Sequence, residues 1–105
     1  MAMVAVSIAP LGTGDTSVGR YVAVAEKVLR DNPKIRYQLG PMFTTIEGDL
    51  RDILECIARM HDAVAATGAA RISTVIKIDD RRDKSVSMEA KVQSVMDHRA
   101  ALDQK

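Results

Sequence analysis

The hydrophobic pattern changes period along the chain, and each change marks an element. Val4, Val6 and Ile8 alternate with the small residues Ala5, Ser7 and Ala9, the two-residue repeat of a strand, and Pro10 is expected to end it. After the loop Leu11 to Thr16, which holds Gly12 and Gly14, residues Val18, Val22, Ala25 and Leu29 fall at helical spacing. They predict a helix from about Ser17 to Arg30, with Thr16 and Ser17 placed to cap it. Asp31-Asn32-Pro33 stops that helix, because proline lacks a donor and turns its predecessor away from helical angles. Ile35 to Leu39 and Met42 to Glu47 read as two strands separated by Gly40-Pro41.

A second helix follows Gly48-Asp49, with Leu50, Ile53, Leu54, Ile57, His61 and Val64 on one stripe, Asp49 as its cap and Gly68 as the C′ residue. Arg71 to Ile78 is a fourth strand that sets Ile72, Thr74, Ile76 and Ile78 against Ser73, Val75 and Lys77. Asp79 to Lys84 is a charged turn. Ser87 caps a last helix with Met88, Val92, Val95 and the stem of Arg99 on one side, and Ala100 to Lys105 are expected to fray.

This order, β-α-β-β-α-β with an additional C-terminal helix, is the α+β ferredoxin-like arrangement: a four-stranded antiparallel sheet in a single domain over residues 1–105. Its first two helices cover one face. The other face then carries Ala5, Ser7, Ala9, Ser73, Val75 and Lys77, mostly small and uncharged, where a solvated face normally bears more charge. A second subunit or the last helix is expected to cover it, and a homo-oligomer is the expected state.

Composition narrows the functions. Fifteen basic residues against fourteen acidic ones leave a net charge of +1, and Tyr21, Tyr37 and Phe43 are the whole aromatic content. Neither a field for phosphate backbones nor a platform for stacked bases is present, so nucleic acid is not an expected partner. Cys56 is the single cysteine, and no Cys/His set has zinc spacing, so no metal is expected and a reducing cytoplasm fits best. Met1 to Pro10 lacks a basic flank and is too short an apolar run for a signal or a membrane span.

Catalytic chemistry is thinly supported. His61 precedes Asp62 but sits on the apolar stripe, so a packed or hydrogen-bonded histidine is expected, and no nucleophile is placed beside it. Cys56 has no cation immediately before it and reads as a small semi-buried residue. No catalytic residue is expected. The turn Gly12 to Ser17 resembles a phosphate cradle without the Gly-Lys-Ser/Thr ending of a nucleotide loop. Arg81 and Arg82 lie in a run that makes either a solvated turn or a bidentate contact to a subunit or a polar ligand.

Four stretches in order resemble one family: Ile8-Ala-Pro-Leu-Gly-Thr-Gly14 with Ser17 and Tyr21-Val22; Tyr37 to Gly48; His61-Asp-Ala-Val64 before Gly68 and Arg71; and Lys77-Ile-Asp-Asp-Arg-Arg-Asp83. Together they are similar to the small thiamine-binding proteins, related to the YkoF-like proteins. That resemblance implies a ferredoxin-like subunit, sheet-to-sheet dimers assembled into a tetramer, and non-enzymatic binding of thiamine or its hydroxymethylpyrimidine moiety as a carrier or sensor, with no other cofactor. One departure stands out. The family commonly has Met-Gly-Thr where this chain has Met42-Phe43-Thr44, so a phenyl ring either fills the pocket or walls it.

Thiamine calls for an apolar slot, polar groups for its aminopyrimidine, and an anion or ring face for its fixed charge. Tyr37 and Phe43 offer rings, Glu47 a carboxylate, and Thr44 and Ser17 hydroxyls. The alternative is an oligomeric regulatory module whose ligand, such as an amino acid, presents a carboxylate to Arg81 or Arg82.

Overall fold

The alternation in the first strand divides the sheet into two unlike faces. The computed structural model describes residues 1–104. Its elements are β1 (Ala2–Leu11), α1 (Gly19–Arg30), β2 (Arg36–Gln38), β3 (Thr44–Gly48), α2 (Leu50–Ala65), β4 (Arg71–Asp79) and α3 (Met88–Asp103). The strands form one antiparallel sheet in the order β2-β3-β1-β4, the ferredoxin-like topology.

Register assigns each side chain to a face. Tyr37, Ile46, Val4 and Ile78 form one row, and Arg36, Glu47, Met3 and Asp79 form the next, pointing the opposite way. Val4, Val6, Ile8 and Ile46 are buried on the inner face against Tyr21, Ala25 and Leu29 of α1 and Ile53, Ile57 and Val64 of α2. Each such side chain removed from water stabilises the fold by about 1.5–3 kcal/mol.

Several boundaries differ from the sequence reading. Pro10 does not end β1; it pairs with Ile72, beyond Val6, the last residue of β1 that β3 reaches. Past that point β1 has an open side, where a missing N–H costs no ladder bond. Ser17 does not cap α1. The helix begins at Gly19 after Val18, without a side-chain cap, and the Ser17 amide donates instead to Asp15 Oδ1 at 2.9 Å. That aspartate turn holds Ser17 outside the helix.

On α2, Leu54 is exposed while Cys56 and Met60 are buried, so the inner stripe lies a step round from the expected one. Asp49 caps this helix as expected, accepting from the Arg51 and Asp52 amides. At its other end Ala66 is the C-cap, and Gly68 supplies a positive φ of 101° two residues later. Ala100 to Asp103 are helical rather than frayed, since α3 continues to Asp103.

The outer face is not covered by α3. Of the 16 residues of that helix only Met88 is buried, and Ser73, Val75 and Lys77 on the outer face are exposed. The radius of gyration is 16.1 Å and the longest dimension 54 Å, against roughly 13 Å for the radius of a compact chain of about 100 residues.

Candidate functional site

Glu47 organises the outer face. It is the one buried charged side chain among the described residues, 2 % exposed, and its position on β3 turns it away from the helices. Burial of a carboxylate is costly unless its lone pairs are taken up. Here Oε1 accepts from the Arg36 guanidinium across the neighbouring strand, and Oε2 accepts from the backbone N–H of Met88 at 2.8 Å. Arg36 also pairs with Glu89, and Lys91 Nζ donates to Asp79 Oδ2 at 2.6 Å. The first turns of α3 are thus tied to the sheet by two ion-paired contacts and one buried hydrogen bond.

These ties shift the groups they join. Hydrogen bonding and charge from Glu89 first, then from Glu47, hold the Arg36 guanidinium above its usual range. Arg36 in turn lowers the Glu89 carboxyl, and the Lys91 ammonium lowers that of Asp79.

Between α3 and the sheet lies a slot of about 290 Å³. Met3, Ala5, Met88 and Val92 give it apolar walls, Gln38 and Thr45 supply amide and hydroxyl groups, and Lys77, Asp79 and Lys91 supply charge. Around the turn after β4 is a second, more polar cleft of about 560 Å³, where Arg51, Arg81, Arg82 and Lys84 meet Asp49 and Asp80. Arg82 is paired with Asp80 and Arg81 with Asp83, whereas Arg51 and Lys84 make no ion pair among the described residues.

The five residues expected at the ligand do not converge. Tyr37 and Thr44 belong to inner-face rows, and the Tyr37 hydroxyl donates to Glu26 Oε1 at 2.6 Å, which raises its pKa. Ser17 is exposed in the β1–α1 loop, and Phe43 is 37 % exposed just before β3. Glu47 faces the other way from Thr44, three positions along the same strand. Strand parity carried that signal, because residues an odd number apart on a strand cannot share a face. The same parity marks Thr45, Met3 and Ala5 as companions of Glu47, a set that sequence reasoning passed over.

His61 Nε2 lies 2.7 Å from Thr74 Oγ1, so the half-buried ring is hydrogen-bonded to β4, as expected of a packed histidine. Cys56 is 1 % exposed, and burial pushes its thiol upward against an opposing hydrogen bond from Asn32. A protonated thiol at neutral pH is a packing group. Among the described residues no group of three His, Cys, Asp or Glu side chains is placed to hold a metal, and no helix is long and apolar enough to cross a membrane.

The family described as thiamine-binding protein matches residues 4–96. The chain belongs to that family. The UPF0045 protein YqgV of Bacillus subtilis is 46 % identical over 101 residues, covering 93 % of this chain and 97 % of its own length. The crystal structure of the Methanocaldococcus jannaschii protein MJ1052 superposes with a TM-score of 0.81 at 34 % identity, over 90 % of this chain and 94 % of that one. A Thermotoga maritima structure, described as a candidate thiamine biosynthesis/salvage protein, reaches a TM-score of 0.74 over 90 % of this chain and 97 % of its own. At 20 % identity that likeness speaks for the fold alone. Family membership supports a role in binding a small ligand, and the family is named for binding rather than for a reaction.

Proposed function

We propose that this protein binds thiamine or its hydroxymethylpyrimidine moiety without turning it over, as a carrier or sensor, and that the slot beneath the start of α3 receives the pyrimidine. The supporting observation is the buried Glu47 carboxylate that fixes Met88, and with it one wall of the slot, against the sheet. The volume of about 290 Å³ lies just below the usual range of ligand sites, roughly 300 to 1,000 Å³. One ring suits it better than two. Its two lysines against one aspartate also disfavour a fixed cation, so the neutral pyrimidine is the preferred half. Gln38 and Thr45 have the donors and acceptors that an aminopyrimidine edge requires.

Assembly belongs to the same reading. The outer face, left open by α3, is closed by the outer face of a second copy, and two such dimers make a tetramer. Val92, Val95, Met96 and Leu102 are exposed on α3 and supply apolar surface for that association.

Calorimetry with thiamine and with hydroxymethylpyrimidine tests the ligand. Both should bind, the pyrimidine more tightly, and Thr45→Val should weaken both. Glu47→Gln should cost the two ligands equally if the carboxylate only holds the site, and thiamine more if it faces the cation. Phe43→Gly tests the phenyl ring: unchanged affinity supports the slot, tighter binding means that the ring obstructs the ligand, and weaker binding means that it stacks on it. Absence of binding of either compound to the native chain and to Phe43→Gly would sink the ligand assignment.

The polar cleft favours a second reading, a regulatory module for a carboxylate ligand such as an amino acid. Its four cations exceed its two carboxylates, and Arg51 and Lys84 are available to an anion. Stabilisation by an amino acid but not by thiamine or the pyrimidine in a thermal-shift panel, lost in Arg51→Gln, would establish this reading in place of the first. At a hundredfold excess over the dissociation constant the expected stabilisation is about 2.7 kcal/mol.

A further inference from the structure

The slot does not end at the Lys91–Asp79 ion pair. Met3, Asp79 and Lys91, which line it, are also walls of a second hollow of about 520 Å³. Two neighbouring stripes of α3 divide the two spaces between them. Met88 and Val92, one turn apart, look into the slot, whereas Ala90, Ser94 and Val95 look into the hollow. The hollow differs from the slot in charge. The turn after β4 brings Arg81, Lys84 and Ser85 to it, and Asp79 is the one carboxylate among the described residues that line it. Cations therefore outnumber anions there, and the excess lies on the side away from Gln38 and Thr45, which line the slot alone.

How these cations are engaged decides what they can take. Arg81 donates from Nε and Nη2 to the two carboxylate oxygens of Asp83, at 2.7 and 3.1 Å. A planar carboxylate, the shape that a guanidinium fork matches, finds this one occupied. The ammonium groups are free by comparison. Lys84 makes no ion pair among the described residues, and Lys91 gives one donor to Asp79 Oδ2 at 2.6 Å and keeps the others. An ammonium is a compact charge with rotating donors, suited to the oxygens of a tetrahedral group, and a dianion gains twice as much from each cation as a carboxylate does. The hydroxyls of Ser85 and Ser94 add donors at the same hollow. We propose that slot and hollow are one site for a phosphate ester of the pyrimidine alcohol, with the ring beneath Met88 and Val92 and the phosphate between Lys84 and Lys91. This rests on the placement of the pyrimidine in the slot argued above. A hydroxymethyl arm sets its phosphate a few bonds from the ring, the span that two spaces with shared walls require. Asp79, by holding Lys91 at their boundary, positions the remaining donors of that ammonium for the phosphate.

Calorimetry at low salt with hydroxymethylpyrimidine, its phosphate monoester and inorganic phosphate tests the site. The ester should bind roughly tenfold more tightly than the alcohol, the increment of one good charge-assisted contact. Inorganic phosphate should compete with the ester and leave the alcohol bound. Lys84 is exposed and outside the ion pairs of the described residues, so its replacement does not threaten the fold. Lys84→Gln should weaken the ester roughly tenfold and so remove its advantage. Lys27→Gln takes the same charge from α1, where Lys27 pairs with Asp31, and should leave the advantage whole. Added sodium chloride should shrink it, because the hollow is open to screening ions. Equal affinity for ester and alcohol overturns the proposal and leaves the pyrimidine reading standing. Loss of the advantage in Arg51→Gln but not in Lys84→Gln also overturns it, by moving the phosphate to the polar cleft. If neither compound binds the native chain, the pyrimidine reading fails and the proposal falls with it.

Discussion

A buried carboxylate is worth what its partners make of it, and Glu47 has all of its partners within the chain. Removing it leaves the buried Met88 amide without an acceptor and Arg36 with Glu89 as its remaining partner. Glu47→Ala should therefore destabilise the fold by about 1–3 kcal/mol in urea unfolding, whereas Glu47→Gln, which keeps an acceptor for Met88, should cost less. The inner face follows a different rule. Ile53 is fully buried, so Ile53→Ala should cost about 2–5 kcal/mol, the transfer loss plus the cavity left behind. The sequence made Ile53 legible through its helical period, but gave no sign that Glu47 would be buried. Burial there depends on α3 returning from 41 positions away to lie beside it.

At the scale of elements, the order and type of all six parts of the split β-α-β motif were readable from period changes and stop signals. Their ends were less so. Ser17 looked like a cap because hydroxyls at helix starts usually are, yet a turn closed by Asp15 took its amide first. The stripe on α2 was misread at Leu54 because the buried side is centred on Ile53, Ile57, Met60 and Val64, and Leu54 stands about 100° round the helix from Ile53, a choice of centre that apolar period alone does not make. Gly48 is a position where space decides: at φ 156° a Cβ would lie 3.3 Å from Ile35 Cγ2 and 3.4 Å from the Lys34 carbonyl. Gly48→Ala should destabilise by upwards of about 1 kcal/mol. The hold on α3 is electrostatic in large part and should fail in acid. The Glu89 and Asp79 carboxyls are depressed below their usual 4.5 and 3.8 by partners that stay charged. Their contribution is therefore full at neutral pH, begins to fall as pH drops through those values, and vanishes below the depressed ones. Amides of the first α3 turns should lose hydrogen-exchange protection across that window before those of β1 do.

For the whole molecule, the ferredoxin-like architecture was visible in the sequence and the five proposed ligand contacts were not a cluster, because a motif records order along the chain and not the face on which each residue lands. The small outer face was legible and points outward to assembly. Sedimentation at micromolar concentration should show a tetramer, and Ser7→Glu should reduce it by placing an unpaired charge within the covered face. A persistent tetramer in that variant would move the interface elsewhere. The molecule also has two tiers of cohesion, and proteases would read them. One tier is the sheet with α1 and α2, closed around a common core; the other is α3, tied near its start by Glu47, Glu89 and Lys91 and little buried beyond. Brief trypsin digestion of the dissociated chain should cut the exposed turn at Arg81, Arg82 and Lys84 and the helix after Arg99 before it cuts the core tier, and ligand or assembly should slow the cut after Arg99. The rate of cleavage at one arginine then becomes a gauge of how firmly the slot is closed.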